Sequence, residues 1–252
     1  MREGRLAWIR LALICLLVMG GLAGGLLVDQ TDNPSSAQSS QETVLFRQGE
    51  DGYTGCADTR ISEENPNKNF GDEWHLVLGM RGRAAILVRF DVSTVPSGAW
   101  VEQATLGLYV DNYGPQSEEP LIAAAHPVIR PWEEMEATWY KATDAGDWGE
   151  PGCNDTLSDC SAIAVDSIPV HDRFVWYEWD VTGAVQQWTQ NPAANEGLVI
   201  KQTNTGLRGE YNIRGSEFAD VQWRPYLKVK YSLATPTPTH TLTPTGPPTP
   251  EP

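Results

Sequence analysis

Short runs in which apolar and polar residues alternate recur along most of this chain, and Gly, Pro, Asn and Asp separate them. Successive side chains on a β-strand point to opposite faces, so such runs read as half-buried strands, and a series of them parted by turn residues predicts a sandwich or barrel. Residues 74–80 put Trp74, Leu76, Leu78 and Met80 on one face. Residues 83–91 put Ile86, Val88 and Phe90 on one face and Ala85, Leu87 and Arg89 on the other, with Gly82 as the hairpin turn between the two runs. Ala104, Leu106, Leu108 and Val110 stay in phase over 101–110, and further runs cover 121–129, 174–179, 197–201 and 225–231. Helical spacing occurs once, at Val181, Val185 and Trp188. Asp180 or Thr182 is placed to cap the free N–H groups at its start, and Pro192 ends it. The expected fold is all-β, with one short helix near residues 181–190.

The two ends are different in kind. Arg2, Arg5 and Arg10 precede an uncharged apolar run, 11–28, which is the pattern of an export leader. The run is longer than an ordinary signal-peptide core, yet Gly20, Gly21, Gly24 and Gly25 weaken it as a helix. Cleavage after the small residues Gly21 and Ala23 and retention as an N-terminal membrane anchor are both open, and either fate places the rest of the chain outside the cytoplasm. Cys15 follows Ile14, a poor context for lipid attachment. Residues 29–42 are polar and aperiodic, a flexible spacer; 234–252 are rich in Thr and Pro, an extended stalk. One large domain is expected over 43–233.

Charge and motifs narrow the function. The chain has 18 Lys+Arg against 33 Asp+Glu, a formal net charge of −15. Nucleic-acid binding rests on cation–phosphate contacts, so nucleic acid is excluded as a partner. The same charge disfavours an anionic membrane surface, which leaves the leader as the one route to a membrane. Neither Gly-x-Ser-x-Gly, His-Glu-x-x-His nor a phosphate loop is present. Glu133 and Glu134 are adjacent and do not naturally flank one glycosidic bond. Three cysteines remain after the leader. Cys153 and Cys160 bracket a short polar loop and are the expected disulfide, which leaves Cys56 over.

Trp132, Trp139 and Trp148 surround an acidic connection containing Glu133, Glu134 and Glu136. Flat indole faces suit stacking on the C–H faces of sugar rings, and equally suit covering an open end of a sandwich. Core packing is the expectation for Trp132 and Trp139; Trp148, in a Gly/Asp loop, is the better candidate for exposure. Tyr113, in the 111–115 loop, is another candidate platform. Arg89 and Asp91 share a strand face; the arginine suits a uronate contact or a structural ion pair between strands, and the second is expected. Trp176, Trp179, Trp188 and Trp223 are assigned to the core, although Trp176 and Trp179 point to opposite faces. Asp58 and Glu217, with Asp72 and Glu63 as further candidates, offer the hard oxygens of a structural calcium site. No cofactor is otherwise required.

The motifs in order carry a resemblance. They are Ala57-Asp58-Thr59, Asn69-Phe70-Gly71, Leu87-Val88-Arg89-Phe90-Asp91, Val95-Pro96-Ser97-Gly98-Ala99, Gln103-Ala104-Thr105-Leu106 and Trp132-Glu133-Glu134 with Ala137-Thr138-Trp139. Asp180-Val181-Thr182, Glu196-Gly197-Leu198, Gly215-Ser216-Glu217 and Arg224-Pro225-Tyr226-Leu227 follow. The set resembles the DNRLRE-type domain, carbohydrate-binding module family 96, of exported bacterial and archaeal proteins. The resemblance covers nearly all of 50–232 and implies a jelly-roll β-sandwich that binds polysaccharide without catalysis. Phe70 stands where the family often has Tyr, Gly215 departs from its usual triplet, and the Cys153–Cys160 loop looks like a local elaboration. A structural or adhesion domain without a sugar ligand is the alternative; a polysaccharide-cleaving enzyme is the lesser one.

Overall fold

The computed structural model describes residues 40–114 and 118–233. The expected leader, the stalk and most of the expected spacer lie outside the described residues. The spacer boundary needs correction, because β1 (Ser40–Arg47) begins inside it and pairs along its whole length with β13 (Tyr226–Leu233). Ser40, Gln41 and Glu42 supply backbone partners to that strand, so they belong to the domain.

All strand pairs are antiparallel, in one curled sheet and a small separate ribbon. β5 (Trp100–Tyr113) is its longest member. One edge of β5 carries β13 and then, nearer its end, β12 (Glu210–Arg214); the other edge carries β10 (Val175–Asp180). β12 continues to β3 (His75–Gly79), and a tight turn leads into β4 (Ala84–Phe90). β4 lies between β2 (Cys56–Ser62) and β11 (Leu198–Gln202), which pairs in turn with β6 (Leu121–Pro127) and then β9 (Asp166–Val170). The small ribbon is β7 (Lys141–Thr143) with β8 (Gly146–Asp147). The all-β fold read from the alternation is therefore observed, and of the two forms it left open the sandwich is the one found.

The alternation also places the core. Leu106, Leu108 and Val110 of β5 face Ile86, Val88 and Phe90 of β4 across the main apolar layer. Helix α1 (Thr182–Gln190) covers one end through Val185 and Trp188. Its start differs from the simple capping expected: the N-cap is Val181, without a side-chain cap bond. Asp180 Oδ1 instead accepts from Thr182 N–H at 3.0 Å, and Thr182 Oγ1 accepts from Ala104 N–H at 2.9 Å, so the threonine ties the helix to β5. The turn after β3 takes Met80 and Arg81 into the left-handed region, at φ 56° and 64°, which removes Met80 from the strand.

A second, smaller core lies on the far face of β4. Leu87, with Ile61 of β2 and Val199 of β11, packs under Val128, Trp132, Trp139, Trp148 and Cys160 from segment 128–160. That segment seals one outer face of the sandwich. The opposite outer face, made by β1, β13, β5, β10 and β12, carries no second core of that kind among the described residues, although Trp176 and Trp223 cover Tyr109 and Tyr226 there.

Candidate functional site

The three tryptophans expected around the acidic connection are all structural. Trp132 is fully buried and donates its indole N–H to the Glu196 carbonyl at 2.8 Å. Trp139 is buried as well. Trp148, expected to be exposed, is 4% accessible and donates to the Thr138 carbonyl at 2.9 Å. Its Gly/Asp loop folds back over β4 and takes the indole with it, so none of the three presents an open indole face. Arg89 follows the structural expectation: it pairs with Glu196 at 3.2 Å, bonds the Trp132 carbonyl at 3.2 Å, and lies 5.0 Å from the Trp132 ring centre.

The expected disulfide is absent. Cys56, Cys153 and Cys160 are free and buried, and Cys160 Sγ donates to the Cys153 carbonyl at 3.2 Å. The loop is held instead by the buried Asp159 carboxylate. It accepts from the N–H groups of Gly149, Glu150 and Asp155 at 2.8, 3.1 and 3.1 Å and pairs with Arg130 at 3.1 Å. The Lys201 ammonium closes it from β11, bonding the Cys153 carbonyl and Asn154. A carboxylate hub with three backbone donors and one cation thus ties the loop together.

Tyr113 ends β5 rather than sitting in a loop, and its ring is partly buried edge-on against Tyr211, 6.4 Å between centroids. Arg173 lies 5.1 Å from its ring centre. This is a single partly covered ring, not a row.

A row exists elsewhere, on the opposite outer face. With Leu106, Leu108 and Val110 of β5 inward, Gly107, Tyr109 and Asp111 point outward. Tyr226 of β13 pairs with Gly107, and its ring occupies the place a Cβ of Gly107 would take, so a larger residue there would displace it. Trp176 of β10 pairs with Tyr109, their rings 5.4 Å apart. Trp176 then stacks at 6.4 Å on Trp223, from the turn before β13, and Trp223 lies 4.4 Å from Tyr109. Arg214 of β12 extends the row: its guanidinium is 5.4 Å from the Trp223 ring centre and 4.1 Å from that of Phe218. Phe218 meets Trp74 at 5.7 Å, and Trp74 is 50% exposed. At the other end Arg47 lies 5.9 Å from Trp176 and 5.2 Å from Tyr226. Glu50 and Asp111 hold the two arginines, each at 2.7 Å.

Trp176 and Trp223 were assigned to the core; they are half-buried on this outer face instead. One signal pointed there: Trp179 is fully buried and bonds the Ala123 carbonyl, so Trp176, three residues earlier, must face outward. Trp188 is in the core as expected.

Acidic residues converge at one point near the Trp74 end. Asp58, Glu134 and Glu217 each present an oxygen, all within 4.8 Å of one another. Asn69 donates to the carbonyls of Glu134 and Ala137, both at 2.8 Å, and so fixes the turn that carries Glu134. A Cβ on Gly71 would run into the Glu134 carbonyl, which accounts for the glycine after Asn69-Phe70. Ser216 N–H donates to Asp58 Oδ2 at 2.9 Å and Ser216 Oγ to Glu217 at 2.8 Å. Burial, reinforced by the neighbouring carboxylates, raises the Asp58 carboxyl well above its usual range; burial also raises Glu134, to about 7, and Glu217. Two unit charges within 4.8 Å of each other repel by about 3.5 kcal/mol or more at an effective dielectric near 20. Of the residues expected here, Asp58 and Glu217 are present. Glu63 pairs with Arg83 at 2.5 Å, and exposed Asp72 lies outside the triad. Glu134 was missed, because nothing in the sequence says that the 133–137 turn returns to β2.

Fold and surface together define a class: an antiparallel β-sandwich with one outer face sealed and the other carrying partly exposed aromatic rings among arginines. The profile of carbohydrate-binding module family 96 matches residues 51–231, and the chain belongs to that family. No curated protein matches the chain. Among the described residues, no helix is long and apolar enough to cross a membrane.

Proposed function

We propose that this chain is a non-catalytic polysaccharide-binding module of an exported protein, and that the polymer lies along the outer face formed by Trp176, Trp223, Phe218 and Trp74. The family match over 51–231 supports the reading, and the aromatic row supports the choice of this face. Indole and phenyl faces offer broad apolar contact to sugar C–H faces, and the flanking guanidiniums offer donors to hydroxyl or carboxylate groups. Aromatic and arginine side chains are also those that dominate binding energy at interfaces. Glycoside hydrolysis needs two carboxyls on opposite sides of one bond, about 5–9.5 Å apart. The acids of the triad are closer than that, and Asp58 is buried, which supports binding without cleavage. The basic and apolar leader supports export.

Affinity electrophoresis of the purified chain through gels containing neutral β-glucan, chitin or alginate tests the reading. Retardation in one polymer class is the expected result. A folded sample that migrates freely in all of them, or one that shortens any of the polymers, overturns it, the first in favour of a structural surface domain and the second in favour of an enzyme.

A further inference from the structure

We propose that Asp58, Glu134 and Glu217 bind one calcium ion, which joins β2, the 133–137 turn and the 215–218 loop. The three ligand oxygens lie within 4.8 Å of one another. An acidic cluster alone would mean little in a chain with 33 acids. The independent observation is Asp58 Oδ1. It is buried and has no hydrogen-bond partner, whereas Oδ2 of the same carboxylate accepts from Ser216 N–H at 2.9 Å and from the Cys56 thiol at 3.8 Å. Buried carboxylate oxygens are almost always paired, because leaving one bare forfeits its hydration with nothing in return. A cation among the three acids gives that oxygen its partner.

The surrounding cations do not perform this role. Arg89, which offsets Glu134, is committed to Glu196, and Arg224, which offsets Glu217, spends its donors on the carbonyls of Phe218 and Gln48. The ligand side chains are nonetheless held in place. Asn69 fixes the turn of Glu134, Glu134 Oε1 accepts from Asp58 N–H at 2.7 Å, and Ser216 holds both Asp58 and Glu217. Oriented ligands with a supporting shell of hydrogen bonds are what metal sites show.

The donor set selects the ion. All three ligands are hard carboxylate oxygens, which suit calcium, magnesium or manganese rather than zinc or copper. Calcium tolerates irregular geometry and six to eight oxygens at about 2.3–2.6 Å, whereas magnesium demands a tight octahedron and keeps its waters. Three carboxylates on three separate segments, with Glu134 76 residues from Asp58 and Glu217 next to Ser216, which is 158 residues away, form an irregular site of the calcium kind. The 215–218 loop also carries Phe218, so the ion anchors one end of the aromatic row.

Thermal unfolding and titration calorimetry of the full chain, stripped with chelator and then given calcium or magnesium, test this. The expected result is one calcium per chain and a rise in Tm of roughly 5–10 °C at a hundredfold excess over Kd, with magnesium giving less. Glu217→Gln changes the most accessible of the three ligands and should leave the fold intact, and it should weaken calcium at least tenfold; Glu63→Gln, outside the triad, should leave it unchanged. Absence of heat and of a Tm shift in the native chain overturns the proposal. So does a shift that survives in both Glu217→Gln and Glu134→Gln, since that is general screening of an acidic protein. The readout uses no glycan, so its failure is distinct from failure of the binding reading.

Discussion

Trp148→Ala separates a structural tryptophan from a binding one. The indole is 4% exposed, packs in the second core with Trp132 and Trp139, and donates to the Thr138 carbonyl. Truncating a buried Trp to Ala costs about 3–5 kcal/mol in transfer and cavity terms. The bereft Thr138 carbonyl adds about 1 kcal/mol or less, because the new cavity beside a surface loop admits water. The total, roughly 3–6 kcal/mol, is a large share of the ~5–15 kcal/mol that holds a typical domain together. Urea unfolding followed by far-UV circular dichroism is the assay. The midpoint should fall steeply, and retention on a bound polymer should be unchanged under conditions where the variant remains folded. A reduced m-value would mean that segment 128–160 opens separately from the main core. An unchanged midpoint with lost retention would refute the reasoning and return Trp148 to the role of a platform.

Two further outcomes follow from the same geometry. Arg89→Ala strands the Glu196 carboxylate, the Trp132 carbonyl and the Trp132 ring face, and should cost about 1.5–3 kcal/mol in denaturant unfolding without altering glycan retention. His126 is held below its ordinary pKa, by burial first and by the Lys201 charge as well, against a bond to the Ser161 carbonyl. Its neutral form is thus favoured in the folded state, so its share of stability is complete above the unfolded value near 6.5 and is lost as pH falls below that. Unfolding curves between pH 7 and pH 5 should show the native chain losing more stability than His126→Gln; an equal slope in both would contradict the assignment.

The strand alternation made the fold legible, since burial on one face leaves a period of two that survives in any single sequence. It found β3, β4, β5, β11 and β13, and the apolar runs at 121–129 and 174–179 found β6 and β10. It missed β1, whose first residues are exposed on both faces, β2, which is buried on both faces for most of its length, β9, which carries Pro169, and β12, which alternates with Tyr211 and Ile213 inward but is only five residues long. The site was harder to read because it is made by pairing. Arg47, Trp176, Arg214, Trp223 and Trp74 come from different elements, and only the register of β5 with β10, β12 and β13 brings most of them to one face. The sequence nominated Trp148 because its loop is polar and glycine-rich; such a loop can equally fold back over a sheet, as this one does around Asp159. Asp58 and Glu217 were legible as acids near strand ends, but the third acid arrives through a turn fixed by Asn69, a contact no spacing encodes.

The central claim is that the aromatic row holds a polysaccharide. The most direct measurement is the retardation of the Trp176→Ala/Trp223→Ala variant, against the native chain, in the polymer that retains it. Interface tryptophans of this kind are worth about 2 kcal/mol or more each, which is about 30-fold in Kd. The account predicts loss of retardation with an unfolding midpoint close to native, because both rings are only partly buried. Retardation equal to that of the native chain would contradict it and place the polymer on another surface.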